Sequence, residues 1–209
     1  MEKLDPKRTV KPRKMPVQRR SAATVGFILD AAARILEERG LDGYTTNIIA
    51  ERAGISIGTC YQYFASKEAI TAALIARETE HLCHELDLAR ETRDWATGIR
   101  LAIAAAVTYQ LKRPRLAQQL DLAEKILVLS EGQENVQKRA QDVIASLLAR
   151  NDAYVAENVM LVSRDLVAIA HGMIDSAGRH GETNIDRLCQ RVYCAISGYL
   201  DASKGIPAT

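Results

Sequence analysis

The sequence predicts an all-α protein, on three observations. Apolar residues make up 47% of the 209 residues but aromatic residues only 5%. Alanine, leucine and isoleucine carry the apolar content, a mix that favours helices over strands. Apolar positions recur every three or four residues, with no alternating stretch and no internal repeat. Capping hydroxyls and single glycines punctuate the chain at helix-length intervals. The length suits one or two domains with a sizeable core.

Each element follows from local signals. Residues 1–20 carry Pro6, Pro12 and Pro16 and are expected to form a disordered arm. A first helix runs from about Thr24 to Arg39, with Ile28, Leu29, Ala32, Ile35 and Leu36 on one face and Gly40 as its left-handed stop. Thr45 caps a second helix over about 46–53. Gly54 supplies a sharp turn. Ser56 caps a short third helix over about 57–64, and Ser66 caps a fourth that can run to about Arg90. Further helices are expected at about 95–112, 115–129 and 132–152. The last two, about 163–180 and 185–200, are the most apolar. Leu166, Ile169, Ala170, Met173 and Ile174 line a face of one. Leu188, Val192, Ile196 and Tyr199 line a face of the other.

The stretch of about 45–64 carries the chemistry. Helix, tight turn and helix in so few residues cannot bury enough surface to be a domain, but they lay a short helix in a DNA major groove. Ile48, Ile49, Ala53, Ile55, Cys60 and Phe64 can form the small core that fixes the helix angle. Ile57, Gly58, Thr59, Tyr61, Gln62 and Tyr63 then face outward in part, offering hydroxyls, an amide and close backbone approach to bases and phosphates. Ser66 and Lys67, at the start of the fourth helix, suit a phosphate. Thr45, Thr46 and Asn47 offer a second anchor.

Charge adds a partner. The net charge is +2, but residues 1–20 hold eight lysines and arginines against Glu2 and Asp5, giving +6 and leaving −4 for the rest. A basic arm on a mildly acidic body points to a polyanion. Arg13, Lys14, Arg19 and Arg20 precede the first helix, where they either reach a neighbouring minor groove or remain a solvated tail. No apolar run is long enough to span a membrane and no signal peptide is evident, so a cytosolic protein is expected, on the nucleoid when bound to DNA.

The residues AERAGISIGTCYQYFASKEAI, with the preceding GLDGYTTNIIA, closely resemble the DNA-binding signature of the tetracycline-repressor (TetR/AcrR) family of transcriptional regulators, over about 21–76. The resemblance implies an N-terminal three-helix helix-turn-helix DNA-binding domain at 21–76 and a helical ligand-binding and dimerisation domain at 77–209. It singles out Thr46, Gly58, Thr59, Tyr61, Tyr63 and Lys67 as DNA contacts. Tyr63 and Lys67 would hold phosphates, with Ile57 and Thr59 nearer the bases. It implies a homodimer on a palindromic operator, joined through the last two helices, and a small-molecule effector. It also implies repression and a bacterial cytosol. Cys60 departs from the larger apolar residue usual there.

The effector pocket is expected among polar groups on otherwise apolar helices: Tyr109, Gln110, Gln119, Tyr154, His171 and Asp175. No cofactor and no metal is expected. No GxSxG, Walker loop, GxGxxG or HExxH occurs, and His171 with Asp175 lacks a nucleophile, so an enzyme is not expected. Two alternatives stay open. One is a metal- or redox-responsive regulator of the same fold, using Cys60 or the His81/His84 cluster. The other is a DNA-binding protein without a ligand.

Overall fold

The computed structural model describes residues 19–126, 136–151 and 156–203. Among them every regular element is an α-helix: α1 (Arg19–Arg39), α2 (Thr46–Arg52), α3 (Ile57–Tyr63), α4 (Lys67–Glu91), α5 (Trp95–Lys112), α6 (Pro114–Ile126), α7 (Val136–Leu148), α8 (Ala156–Arg179) and α9 (Ile185–Ser203).

Local chemistry sets the ends. Thr45 Oγ1 accepts from the Ile48 amide at 3.3 Å, Ser56 Oγ from the Thr59 amide at 3.0 Å, and Asn184 Oδ1 from the Arg187 amide at 2.9 Å, each satisfying an orphan donor of a first turn. Asp94 caps α5 in the same way at 2.9 Å, and the hydrogen bonds from Thr97 hold its carboxyl below the usual range. Pro114 opens α6, where its missing N–H is no loss.

Two helices begin earlier than expected. α1 starts at Arg19, so Arg19 and Arg20 are helical rather than part of a disordered arm; Ala22 and Ala23 are strong helix formers that carry the helix upstream. The rest of the arm, Arg13 and Lys14 included, lies outside the described residues. α8 starts at Ala156, so Ser163 falls inside the helix: it is buried, and its hydroxyl donates back to the Met160 carbonyl at 3.0 Å, a bond a mid-helix serine makes without breaking the helix. The expected end of the 115–129 helix and the expected start of the 132–152 helix fall on residues outside the described set, and α7 stops at Leu148, short of the expected 152, with a turn following it.

The chain divides into two compact units. The first is Met1–Glu78 with Arg115–Gln133, the second Thr79–Pro114 with Glu134–Thr209. α6 thus groups with the first unit, although it follows α5 in the chain. Leu116 and Leu120 of α6 are buried in the first core, with Ile28, Ile35, Ile49, Phe64, Ile70 and Leu74. Each such side chain buried contributes about 1.5–3 kcal/mol, so α6 belongs to the core that takes its leucines.

The second core gathers Leu86, Ile99, Val107, Leu147, Leu166 and Val192 from α4, α5, α7, α8 and α9. Gly98 lets α5 pack closely there: a Cβ at this position would stand 2.5 Å from Leu147 Cδ2 and 2.9 Å from the Ala89 carbonyl oxygen.

Candidate nucleic-acid interface

The first unit builds a rigid reading head. Gly54 adopts φ +68°, a left-handed conformation that a Cβ would strain. It lets the Ile55 amide reach back to the Ala50 carbonyl at 3.0 Å and end α2. Ile49, Cys60 and Phe64 are buried beneath the turn, with Ile48, Ala53 and Ile55 packed against them. The Cys60 thiol is pushed up by burial, so it stays neutral and unreactive at physiological pH. That argues against Cys60 as a redox sensor.

Two braces hold the head, and neither has a sequence signal. Arg52, closing α2, donates to both carboxylate oxygens of Glu38 on α1, at 2.6 and 2.5 Å. The Arg52 hydrogen bond lowers the Glu38 carboxyl pKa. The hydroxyls of Tyr44 and Thr71 lie 3.2 Å apart inside the core, fixing the α1–α2 connection to α4. Burial raises the Tyr44 phenol far above its ordinary value, so it remains a neutral hydroxyl.

The expected DNA-binding residues fall into three groups. Thr45, Asn47, Ile57, Gly58, Tyr61, Gln62 and Lys67 are exposed, and Thr46, Thr59 and Tyr63 half-buried. Ser66 is buried, and its hydroxyl is occupied by the Ala69 amide at 3.3 Å. Ser66 therefore sets the start of α4. Thr59 Oγ1 lies 2.8 Å from Ser56 Oγ, so that hydroxyl is engaged within the helix start. The exposed outer face of α3 is Ile57, Gly58, Tyr61 and Gln62, with Tyr63, Lys67 and the start of α2 beside it.

The expected effector residues that the structure describes are divided between the two units. Gln119 lies in the first unit, where its side-chain oxygen would stand 3.1 Å from a Cβ on Gly40. His171 is exposed, and Asp175 pairs with Arg179 at 3.2 Å one helical turn on. Tyr154 lies outside the described residues. Tyr109 packs against the second core. Gln110 is buried there, and its Nε2 has no hydrogen-bond partner among the described residues. An open groove of about 760 Å³ passes Met173, Ser176, His180, Glu182 and Arg191, and none of the five described candidates lines it.

The expected dimer residues are also redistributed. Leu166, Ile174, Leu188, Val192 and Ile196 are buried inside the single chain, where they complete its own core. Ile169, Ala170, Met173 and Tyr199 are half-buried against that core. Tyr199 donates its hydroxyl to Asp165 at 2.6 Å, tying α9 to α8. Among the described residues no three of His, Cys, Asp and Glu are grouped to hold a metal ion; His81 faces Glu85 at 3.7 Å.

A capped helix, a left-handed glycine turn and a short helix with an exposed outer face define a helix-turn-helix DNA-binding protein. The family model for bacterial regulatory proteins of the tetR family matches residues 28–74. The model for the tetracyclin repressor-like C-terminal domain matches residues 94–200. The chain belongs to the TetR family of transcriptional regulators, which are not enzymes.

An uncharacterized HTH-type transcriptional regulator of Mycobacterium tuberculosis (strain CDC 1551 / Oshkosh) is 41% identical over 68 residues, 32% of this chain and 34% of that protein. The match thus spans about a third of that relative's length. The HTH-type transcriptional activator FasR of Mycolicibacterium smegmatis is 27% identical over 156 residues, 73% of this chain and 69% of FasR. A TetR-like transcriptional regulator from Rhodococcus sp. RHA1, solved by crystallography, shares the fold with a TM-score of 0.72 at 21% identity. That superposition covers 90% of this chain and 99% of the other. Among the described residues no helix is long and apolar enough to cross a membrane.

Proposed function

We propose that the protein is a homodimeric repressor in the bacterial cytosol that leaves a palindromic operator when a small molecule binds its second unit. The observation that carries the reading is the rigid α2–Gly54–α3 head, with Ile57, Tyr61 and Gln62 exposed on it and Lys67 exposed beside it. Two such heads on a two-fold axis read half-sites roughly 34–36 Å apart. Tyr63 and Lys67 hold phosphates and set the register. Repression follows from occupying a promoter and needs no further chemistry.

The dimer forms through the α8 and α9 faces turned away from the second core, where Leu161, Ala168 and Gly172 on α8 and Cys194 and Gly198 on α9 are exposed. Gln110 supports an effector. A buried amide without a partner costs about 1–3 kcal/mol, and an apolar ligand bearing an acceptor oxygen recovers it. Effector and operator then weaken each other equally by linkage. α4 is the lever: Ile70 and Leu74 sit in the first core and Leu82 and Leu86 in the second.

The test is fluorescence anisotropy of the purified protein on DNA flanking its own gene, across a salt series, against scrambled DNA. Selective binding that Tyr63→Ala and Lys67→Ala both weaken supports the reading, and equal affinity of the wild type for scrambled DNA at every salt removes it. Activation is a second reading, favoured by the likeness to FasR, an activator. A promoter reporter in a deletion strain separates the two, rising for a repressor and falling for an activator.

A further inference from the structure

We propose that α3 recognises thymine by its C5-methyl group, through Ile57 and Tyr61. The inference rests on the chain being a sequence-selective DNA-binding regulator and names what its reading head selects.

The outward face of α3 is poor in hydrogen-bonding groups. Thr59 and Ser56 engage each other through their hydroxyls at 2.8 Å, and Ser56 also caps the helix. Gly58 has no side chain. Beside them stand the Gln62 amide, the Tyr61 hydroxyl at the tip of its ring, and Ile57, which has no hydrogen-bonding atom at all. Ile57 is 38% exposed and Tyr61 46%. They stand four residues apart, so their Cβ atoms lie roughly 5–6 Å from each other on one face. At about 3.4 Å per base step, that spacing spans one or two steps.

The major groove offers one apolar group, the thymine methyl. A donor or acceptor pressed against Ile57 would lose its water and gain no partner. An isoleucine and an aromatic ring therefore discriminate in favour of thymine and against bases that present only polar edges. Gln62, the one amide on this face, suits adenine N6 and N7 in a bidentate pair. The expected half-site is rich in A·T pairs, with thymines one or two steps apart.

The experiment begins with the full-length protein selecting from a random duplex library. The enriched site is then resynthesised with deoxyuridine in place of each thymine in turn. Uracil keeps the pairing edge and the O4 acceptor and lacks only the methyl. Anisotropy should find one or two thymines per half-site where this change weakens binding about fourfold. Changing both symmetric positions should weaken it about fifteenfold, as expected for losing one buried methyl in each half-site.

Ile57→Ser should erase the penalty at one position and leave the other, with a thermal melt to check that the variant stays folded at the assay temperature. An enriched site indifferent to uracil throughout, as readout by groove shape would give, overturns the inference while leaving the regulator intact. So does Ile57→Ser retaining every penalty. A library with no enrichment removes the regulator reading itself, and this inference with it.

Discussion

Gln110 presents its side-chain amide to the bare Cα of Gly178: a Cβ there would stand 3.3 Å from both Cγ and Nε2 of Gln110. The glycine makes room for a polar group that finds no partner among the described residues. Gln110→Leu replaces that amide with an apolar side chain of similar volume. It should raise unfolding stability by about 1 kcal/mol, since the desolvation of the amide is no longer unreturned. It should also leave operator affinity intact and desensitise release by effector. Urea unfolding and anisotropy on one preparation measure both. Lower stability in Gln110→Leu would show that the amide has a partner after all.

Gly98 answers to packing rather than to ligand. Its absent Cβ is what lets Leu147 and the Ala89 carbonyl approach α5. The leucine can rotate, but a backbone carbonyl cannot move without moving α4. Gly98→Ala should therefore lower stability by about 2 kcal/mol, the range of overpacked cores. This holds although alanine is the better helix former by about 1 kcal/mol. A thermal melt decides between the terms: a higher midpoint would mean that propensity outweighs the clash.

Much of this architecture was legible in the sequence, because capping and periodicity are local. Thr45, Gly54 and Ser56 fix their turn with atoms a few residues away, and all three do what their positions imply. What was not legible is where a helix's apolar face goes. Leu116 and Leu120 have the same spacing whichever core receives them, so nothing in α6 announces that it joins the first unit. Likewise Leu188 and Val192 read as a stripe seeking a surface to bury, and periodicity does not say whether that surface belongs to the same chain. The Arg52–Glu38 brace joins residues 14 apart on two helices, a distance at which no pattern operates.

The ion pair between Asp87 on α4 and Arg139 on α7, at 2.5 Å, gives the second unit a pH dependence. The Arg139 hydrogen bond, assisted by the charges of Arg139 and Arg90 and opposed by burial, holds the Asp87 carboxyl below its ordinary value. A carboxyl depressed on folding stabilises fully above its unfolded pKa, and the contribution is lost as pH falls through the folded one. Wild type should exceed Asp87→Asn by up to about 1 kcal/mol at neutral pH, and the gap should close below about pH 4. Urea midpoints of both proteins across that range check it. A gap that persists at low pH would assign the effect to packing.

Lys67 offers the sharpest test of how many heads engage. It is exposed at the start of α4, beside the recognition helix, and its ammonium carries no base information. Removing it should weaken all sequences alike and change the salt dependence instead. Each phosphate neutralised contributes about 0.9 to the slope of log K against log salt. Lys67→Ala should thus reduce the slope by about one if a single head binds, and by about two if a dimer places both. Selectivity for the operator over scrambled DNA should be unchanged, whereas loss at Tyr61 or Gln62 should lower selectivity and leave the slope. A Lys67→Ala variant with an unchanged slope would put another cation on the phosphates and leave Lys67 outside the interface.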